Sequence, residues 1–458
     1  MAEMKELAEK PRRAVVIAVQ LSEVGATEFE SSLAELKQLA RTLGVDVVGS
    51  VTQKRGSFDS GTYLGAGKID ELKKLIGVRP KGPRSKNKAE ADTDVALGGL
   101  DDSFPDPIAD TILVDHEITP SQARVLEMET DCEVLDRTMV ILDIFQRHAK
   151  SNAAKAQVEI VRLKYMAPRM RETGKKDRQR GGIGGKGTGE SAIELDRRKI
   201  RDRIAELAEE IEAMDAERQT QRSRRTGQTG LERVALVGYT NAGKSTLMRA
   251  LTASEVYIAD KLFATLDTTV RTLSPPSTPT ILVSDTVGFI KNLPHGLVAS
   301  FKSTLEEALE ATLVCHIIDA SDEGWQRQQK VTDEVLAEIG AGAVPRLLVF
   351  NKIDKVAEPE VVEARLREYF PDAVIMSAKR PDDVAVLRQR LVDFFSRNFV
   401  ETELLVPWTS GGLRGEIFST CQVLGEEGEE TGARLRIRAR KDVVERLQKL
   451  ITGSTAPG

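Results

Sequence analysis

The sequence predicts an α/β protein with two parallel sheets, a helical hairpin between them and a small α+β tail. Short apolar runs alternate with amphipathic segments across residues 13–145 and again across residues 232–398, which is typical of strand–helix–strand units. The stretch between them carries apolar residues at heptad spacing, the pattern of two helices that pack along a seam. Shorter strand and helix patterns after residue 399 indicate the tail.

Composition limits the classes of protein that this chain can represent. Its 458 residues suffice for about three domains, and 40% hydrophobic with 30% charged residues is typical of globular proteins with charged helices. No stretch approaches the roughly 18 apolar residues of a membrane helix, and the N-terminus lacks the apolar core of a secretory signal. We expect a cytoplasmic protein without a membrane span, and a monomer. Three widely spaced cysteines exclude a disulfide framework and give no metal-ligand spacing.

Two small domains are predicted at the ends of the chain. The first, residues 1–139, is an α/β unit, and the last, residues 399–458, is an α+β unit. In the first domain, apolar runs predict strands at 13–21, 45–48, 111–115 and 132–135. Helical spacing of apolar residues predicts helices at 28–42 and 68–76. Residues 79–106 are rich in Pro, Gly, Lys and Asp without periodicity, which predicts a disordered insertion. The tail has predicted strands at 403–406 and 434–438 and a helix at 441–451.

The second predicted domain, residues 140–228, is an antiparallel helical hairpin. Apolar residues recur at steps of three, four or seven along both halves; they are Ala154, Val158, Val161 and Tyr165, then Ile193, Ile200, Ile204, Leu207, Ile211 and Met214. The connecting tip, residues 170–190, carries six Lys or Arg among many glycines. It is either a flexible solvated linker or a cationic finger for a phosphate-rich groove, where glycine avoids clashes.

The third predicted domain, residues 229–398, begins with a phosphate-binding motif. Gly238-Tyr-Thr-Asn-Ala-Gly-Lys-Ser245 fits G-x-x-x-x-G-K-[ST], follows the apolar strand 234–237 and opens a helix, which is the context that the motif requires. Its glycines let backbone N–H groups turn toward phosphates. Lys244 supplies a positive charge for the β- and γ-phosphates, and the Ser245 hydroxyl is a ligand for Mg²⁺.

A second motif, Asp285-Thr-Val-Gly288, ends another predicted strand and completes the phosphate and magnesium site. Its aspartate is predicted to hold Mg²⁺ through a water, and the N–H of its glycine is predicted to reach the γ-phosphate. Thr265 is the candidate for a direct Mg²⁺ ligand when the third phosphate is present. Three nearby threonines compete for that role: Thr268, Thr269 and Thr272. Segments that the γ-phosphate holds and hydrolysis releases form a switch.

The base is predicted to be read by Asn351-Lys-Ile-Asp354, at the end of a further apolar strand. The aspartate can accept hydrogen bonds from guanine N1–H and the exocyclic amine, whereas adenine presents an acceptor at the first position and is rejected. The asparagine is expected to reach the major-groove edge and the lysine stem to cover the ring face. Ser377-Ala-Lys379 follows another strand, and the Ala378 N–H is expected to donate to guanine O6.

Phe289 stands where signalling GTPases carry the glutamine that orients the attacking water. A phenyl ring cannot orient water in this way, so we expect slow intrinsic turnover, with the water ordered by another group or by a partner. His295 is one candidate for that group, and a local structural histidine is the alternative interpretation.

Four motifs in this order, each at the carboxyl end of a predicted strand, predict a P-loop domain that binds guanine nucleotide with Mg²⁺ and hydrolyses GTP to GDP and phosphate. The predicted catalytic residues are Lys244, Thr265 and Gly288, and the predicted Mg²⁺ ligands are Ser245, Thr265 and, through water, Asp285. The predicted nucleotide-binding residues are Gly238, Tyr239, Thr240, Asn241, Ala242, Gly243, Lys244, Ser245, Thr246, Phe263, Ala264, Thr265, Leu266, Asp267, Asp285, Thr286, Val287, Gly288, Asn351, Lys352, Ile353, Asp354, Ser377, Ala378 and Lys379.

Almost the whole chain resembles the HflX family, ribosome-associated GTPases related to the Obg proteins. The segments that carry this resemblance are Gly61-Thr-Tyr-Leu-Gly-Ala-Gly-Lys68, Asp115-His-Glu-Ile-Thr-Pro-Ser-Gln122, Leu135-Asp-Arg-Thr138, Ile141-Leu-Asp-Ile-Phe145, Leu262-Phe-Ala-Thr-Leu-Asp267, Asp285-Thr-Val-Gly-Phe-Ile290 and Leu293-Pro-His295. A hydrophobic residue in place of the glutamine also belongs to the family. The family usually has a Gly-Pro-Gly-Glu-Thr-Gln-like stretch where this chain reads Gly187-Thr-Gly-Glu-Ser-Ala192.

The resemblance implies binding to the large (50S) ribosomal subunit and GTP-dependent separation of stalled or idle ribosomes, notably under stress. It also implies that the hairpin tip approaches the peptidyl-transferase centre of the ribosomal RNA. Two other functions stay open on the residues alone. One is a regulatory switch whose GTP form binds a protein effector, and the other is a GTP-dependent RNA-remodelling or ribosome-assembly factor.

Overall fold

A computed structural model describes residues 12–77, 108–169, 192–226, 231–253, 262–263, 269–291, 307–397, 399–409 and 411–454. The predicted insertion at 79–106 and the predicted tip at 170–190 lie outside these ranges. The chain divides into two compact units: Met1–Arg147 with Val161–Arg201, and His148–Ile160 with Asp202–Gly458. None of the helices in the described ranges has the length and apolar character needed to cross a membrane.

The first sheet is parallel throughout, with the strand order β2-β1-β3-β4. Its elements are β1 (Arg13–Leu21), α1 (Ala26–Leu43), β2 (Asp46–Arg55), α2 (Ala66–Ile76), β3 (Thr111–Val114), α3 (Pro120–Thr130) and β4 (Glu133–Asp136). Residues 14–19 of β1 are buried, because β1 is a central strand whose two faces are both covered. At the start of α3, the Thr119 side chain accepts from the Gln122 N–H while the Gln122 side chain accepts from the Thr119 N–H, a capping box.

Three helices follow this sheet: α4 (Arg137–His148), α5 (Asn152–Met166) and α6 (Ala192–Thr226). The predicted domain boundary at residue 139 therefore falls within α4. Of the predicted seam, Leu207 is buried on α6 while Ile200 and Ile204 are half-buried. Arg203 Nε of α6 donates to Glu159 Oε1 of α5 over 3.1 Å. The two helices are confirmed, whereas the connection that would make them a hairpin lies outside the described residues.

The second sheet has six strands in the order β10-β9-β8-β5-β7-β6, and only the pairing of β6 with β7 is antiparallel within the described residues. Its strands are β5 (Leu231–Gly238), β6 (Thr269–Thr272), β7 (Thr280–Asp285), β8 (Leu313–Asp319), β9 (Arg346–Asn351) and β10 (Val374–Ile375). Its helices are α7 (Lys244–Thr252), α8 (Trp325–Glu338), α9 (Pro359–Tyr369) and α10 (Pro381–Ser396). Parallel pairing brings the carboxyl ends of β5, β7, β8, β9 and β10, with the predicted motifs, to one edge.

The tail is the predicted α+β unit. It consists of β11 (Phe399–Pro407), α11 (Gly411–Thr420), β12 (Gln422–Gly428), β13 (Gly432–Arg440) and α12 (Lys441–Ser454). The strands form an antiparallel sheet in the order β11-β13-β12. The sequence did not predict β12, because its Gly and Glu residues have low strand propensity and the pairing with β13 shifts register between Val423 and Gly425.

Candidate nucleotide-binding site

The loop between β5 and α7 encircles a lysine amine. Lys244 Nζ donates to the carbonyl oxygens of Gly238 at 3.0 Å and Tyr239 at 2.9 Å. Gly238 has a φ of 149° and Gly243 a φ of 98°, conformations that favour glycine. A Cβ at Gly238 would also collide with the Ile317 carbonyl oxygen of the neighbouring strand β8. The loop can therefore lie against the sheet edge only with glycine at this position.

Lys244 makes this loop strongly receptive to an anion. Its side chain is buried, with the residue 6% exposed, and this burial lowers its pKa to about 8. Asp285 acts in the opposite direction by attraction, while the positive charge of Lys352 adds to the lowering. A phosphate placed at the amine would compensate the lost hydration of the charged form, so anion binding and lysine protonation favour each other.

Ser245 and Asp285 meet where β5 and β7 end side by side. The Ser245 hydroxyl donates to Asp285 Oδ2 over 2.8 Å, and Asp285 is fully buried. A hydroxyl and a carboxylate are hard oxygen ligands of the kind that Mg²⁺ takes alongside phosphate oxygens and water. No group of three or more His, Cys, Asp or Glu able to hold a metal ion occurs among the described residues. The pair fits a Mg²⁺ ion, which would neutralise phosphate charge at this position.

The Asp285–Gly288 segment packs directly against the phosphate-binding loop. A Cβ at Gly288 would lie 2.8 Å from Thr240 Cγ2 and 3.0 Å from Lys244 Nζ, so the close approach depends on glycine. The next residue, Phe289, donates its N–H to the Gly238 carbonyl at 3.1 Å and accepts from the Thr240 N–H at 2.7 Å. The Phe289 residue is 1% exposed. Its side chain is thus a packing element.

Asn351 connects the phosphate-binding loop to the segment that contains Ala378. Its Nδ2 donates to the Ala242 carbonyl at 2.8 Å, and its Oδ1 accepts from the Ala378 N–H at 2.9 Å. A Cβ at Gly243 would collide with the same Nδ2. The N–H predicted to donate to guanine O6 therefore has an internal acceptor, and the asparagine predicted to reach the base joins two loops. The contacts of both groups with guanine stay predictions.

Lys352 and Asp354 occupy the positions from which the sequence predicts base recognition. Lys352 Nζ donates to the Asn241 carbonyl at 2.5 Å and pairs with Asp319 Oδ2 at 2.8 Å, so its alkyl stem is held across the edge of the loop. A hydrogen bond from Ser377 lowers the pKa of the exposed Asp354 carboxyl. That carboxylate is therefore ionised at neutral pH, as the predicted pairing with two guanine N–H donors requires.

Comparison with known proteins identifies the family to which this site belongs. The model described as 50S ribosome-binding GTPase matches residues 233–352, the GTP-binding GTPase Middle Region matches 148–225, and the GTP-binding GTPase N-terminal model matches 30–81 and 100–146. A GTPase HflX from Gluconacetobacter diazotrophicus is 50% identical over 445 residues, which cover 95% of this chain and 97% of that protein. The chain belongs to the HflX family of GTPases. It binds GTP and GDP and hydrolyses GTP to GDP and phosphate.

A second relative and one solved structure are also similar to most of the chain. A GTPase HflX from Escherichia coli K12 is 36% identical over 414 residues, which cover 90% of each chain. A solved structure, a GTP-binding protein from Sulfolobus solfataricus in complex with GDP, is 22% identical, covers 83% of this chain and 99% of its own, and has a TM-score of 0.42.

Part of the predicted HflX-type site lies outside the described residues. This part includes the proposed Mg²⁺ ligand and the candidate histidine: Ala264, Thr265, Leu266, Asp267, the competing Thr268, and His295. Of the same predicted segment, Phe263 is described and is buried with a φ of 55°. The other two competing threonines, Thr269 and Thr272, bound strand β6.

Reasoning from the sequence missed residues that hold the predicted ones in place. Asp319 pairs with Lys352, and Asp383 Oδ2 accepts from the Ser377 N–H at 2.8 Å. Asp319 ends β8, so its place at the carboxyl end of a strand was a usable signal. Asp383 lies in the first turn of α10 and had no such signal.

Proposed function

We propose that this HflX-family GTPase binds the large (50S) ribosomal subunit in its GTP form and separates stalled or idle ribosomes, notably under stress. The observation that carries the proposal is the match of residues 233–352 to a family described as 50S ribosome-binding GTPases. Ribosomes place this activity in the cytoplasm, and the protein acts there as a monomer.

The predicted tip at residues 170–190 supports ribosomal RNA as the contact. Its six Lys or Arg would neutralise phosphates, and its glycines would permit a close approach in a confined groove. Aromatic residues are absent from the tip, so stacking on single-stranded bases is not its mode of binding. In this proposal helices α5 and α6 carry the tip toward the RNA.

In this proposal Lys244, Thr265 and Gly288 contact the phosphates, and Ser245 and Asp285 hold Mg²⁺. Lys244 balances charge on the β- and γ-phosphates, while Thr265 and Gly288 respond to the third phosphate. Because Phe289 is buried and a phenyl ring has no polar atom, it cannot order the attacking water. Intrinsic hydrolysis is therefore slow, and ribosome binding supplies the missing order and stimulates turnover.

The test is sedimentation of the protein with purified ribosomes in the presence of a non-hydrolysable GTP analogue, GDP or no nucleotide. The proposal expects pelleting mainly with the analogue, together with conversion of 70S particles to subunits on a sucrose gradient. Equal and negligible pelleting in all three conditions contradicts it and favours a protein effector instead. Pelleting without any loss of 70S particles would contradict ribosome separation while retaining docking.

A charge-reversal pair examines the tip. Arg178→Glu with Arg180→Glu should weaken pelleting and leave GDP affinity of the free protein unchanged, because the pair lies outside the nucleotide motifs. Arg327→Glu with Lys330→Glu on α8 makes the same change in net charge outside the tip and serves as the matched control. If both pairs weaken pelleting equally, the tip has no special role.

A further inference from the structure

The side chain of Thr240, in the phosphate-binding loop, carries a buried hydroxyl without a hydrogen-bond partner. The residue is 7% exposed, and its Oγ1 is closed off from solvent and makes no hydrogen bond within the described part of the chain. Its backbone N–H, by contrast, donates to the Phe289 carbonyl at 2.7 Å. An unpaired buried hydroxyl costs stability, because the group has lost its hydration and gained no bond in return.

Two other buried threonines of the same domain have paired hydroxyls. Thr286 Oγ1 donates to the Leu236 carbonyl at 2.8 Å, and Thr332 Oγ1 donates to the Gln328 carbonyl at 3.0 Å. The sequence therefore can satisfy a buried threonine in this fold, and at Thr240 it does not. A native protein that retains such a cost often has a functional reason for it at that position.

Thr240 packs where the third phosphate is predicted to bind. A Cβ at Gly288 would lie 2.8 Å from Thr240 Cγ2, 2.9 Å from Thr240 Cα and 3.0 Å from Lys244 Nζ. The Lys244 amine is assigned to the β- and γ-phosphates, and the Gly288 N–H to the γ-phosphate. The threonine side chain thus packs against the same side of Gly288 as the lysine amine does.

This packing leaves no room for a phosphate oxygen on that side of Gly288, because even one added carbon atom would collide there. A third phosphate that enters between Gly288 and the Lys244 amine must therefore displace Gly288 from Thr240. The displacement uncovers the threonine side chain, in which one rotation of about 120° around χ1 exchanges the positions of methyl and hydroxyl. GDP lacks this phosphate and leaves the packing in place.

We propose that Thr240 distinguishes GTP from GDP: its hydroxyl donates a hydrogen bond to a γ-phosphate oxygen and has no partner in the GDP form. A hydroxyl can donate, and an ionised phosphate oxygen accepts strongly. The cost of the unpaired hydroxyl is then confined to the nucleotide-free and GDP forms, and its relief adds to the preference for GTP. The inference rests on the GTPase activity and on the predicted place of the γ-phosphate, not on ribosome binding.

The test compares Thr240→Val and Thr240→Ser in the full chain, without ribosomes. Valine keeps the shape of threonine without the hydroxyl, whereas serine keeps the hydroxyl. Thr332→Val is the matched control, because it removes a paired hydroxyl from a buried threonine of α8. The readouts are the affinities for a non-hydrolysable GTP analogue and for GDP, and the denaturant midpoint of the nucleotide-free protein. A hydrogen bond to a charged group corresponds to roughly a 10- to 100-fold change in an equilibrium constant.

Thr240→Val should weaken analogue binding about 10-fold or more, with GDP affinity within about 2-fold of the parent. Its denaturant midpoint should rise, because the folded state no longer buries an unpaired hydroxyl. Thr332→Val should lower the midpoint, because it removes a bond, and should keep the parental ratio of the two affinities. Thr240→Ser should also keep the parental ratio.

Equal weakening of analogue and GDP binding by Thr240→Val would show that the residue only shapes the loop, and would overturn the inference. A parental affinity ratio in that variant, or a midpoint that does not rise, would also overturn it, as would a serine variant that behaves like the valine variant. If Thr240→Val does not fold, Thr240→Ala lacks the same hydroxyl and provides the same affinity comparison. Since the assays contain no ribosomes, a failure here concerns Thr240 and is separate from a failure of the proposed function.

Discussion

Replacing Gly243 by alanine should disconnect the phosphate-binding loop from residues 377–379, the base-recognition segment that contains Ala378. The new Cβ would collide with Asn351 Nδ2, which donates to the Ala242 carbonyl, while Asn351 Oδ1 accepts from the Ala378 N–H. Moving the asparagine breaks two buried hydrogen bonds, each worth about 1 kcal/mol net. The φ of 98° adds strain of about 1 kcal/mol for a residue with a side chain.

These contributions sum to about 3 kcal/mol, which corresponds to roughly a 100-fold loss of GDP affinity. GDP affinity reports this loss because the bound nucleotide contacts the phosphate-binding loop and the base-recognition segment at the same time. Fluorescence titration with a labelled GDP measures the loss. Gly415→Ala is the matched control, because a Cβ at Gly415 in α11 meets nothing within 4 Å. That control should bind GDP like the parent.

A double-mutant cycle isolates the cause of the loss. Asn351→Ala alone removes the two hydrogen bonds and should weaken GDP binding by about 2 kcal/mol. With the asparagine gone, Gly243→Ala should add only the backbone strain of about 1 kcal/mol. The two substitutions are then non-additive by about 2 kcal/mol. Strict additivity, or parental GDP affinity in Gly243→Ala, would refute the steric argument.

Two further predictions concern Lys244 and Asp354. Lys244→Met should abolish hydrolysis, because it removes the amine that the Gly238 and Tyr239 carbonyls hold inside the loop; preserved turnover would require a different lysine. Since burial lowers the pKa of Lys244 to about 8 from 10.5, the unfolded chain holds this proton more tightly and parental stability rises with pH between these values. The methionine variant's advantage in free energy of unfolding over the parent should therefore shrink by about 2 kcal/mol from about pH 7.5 to about pH 9.5. Denaturant unfolding of both proteins measures this difference. A difference that stays constant over this pH range would contradict the burial argument. Asp354→Asn should shift preference from guanine toward xanthine nucleotides, and competition binding showing no shift would remove the base-reading assignment.

Strands buried on both faces were predictable from the sequence, and strands defined by pairing were not. The apolar run at 13–21 coincides with β1, because a central parallel strand contacts hydrocarbon on both sides. Strand β2 continues from the predicted 45–48 to Arg55 because its backbone pairs with β1 as far as Leu21. The polar residues at the end of β2 carry no periodicity that reveals this pairing.

The same contrast applies to the site: local sequence predicts its motifs, but not the contacts between residues that are far apart in the chain. The order of the motifs and their places at strand ends follow from local sequence, because each motif is short and ends an apolar run. The bond from Asn351 to Ala242 spans 109 residues, and the pairing of Lys352 with Asp319 depends on the register between β8 and β9. Such pairings depend on which loops the sheet brings together, and spacing in one sequence does not encode this directly.

The phosphate-binding loop contacts both other parts of the site, the Asp285–Gly288 segment and the base-recognition segment. Phe289 exchanges backbone hydrogen bonds with Gly238 and Thr240, which ties the Asp285–Gly288 segment to the start of the loop. Asn351 ties the base-recognition segment to its end. A phosphate that displaces the loop must therefore act on both segments, since each is bonded to it directly.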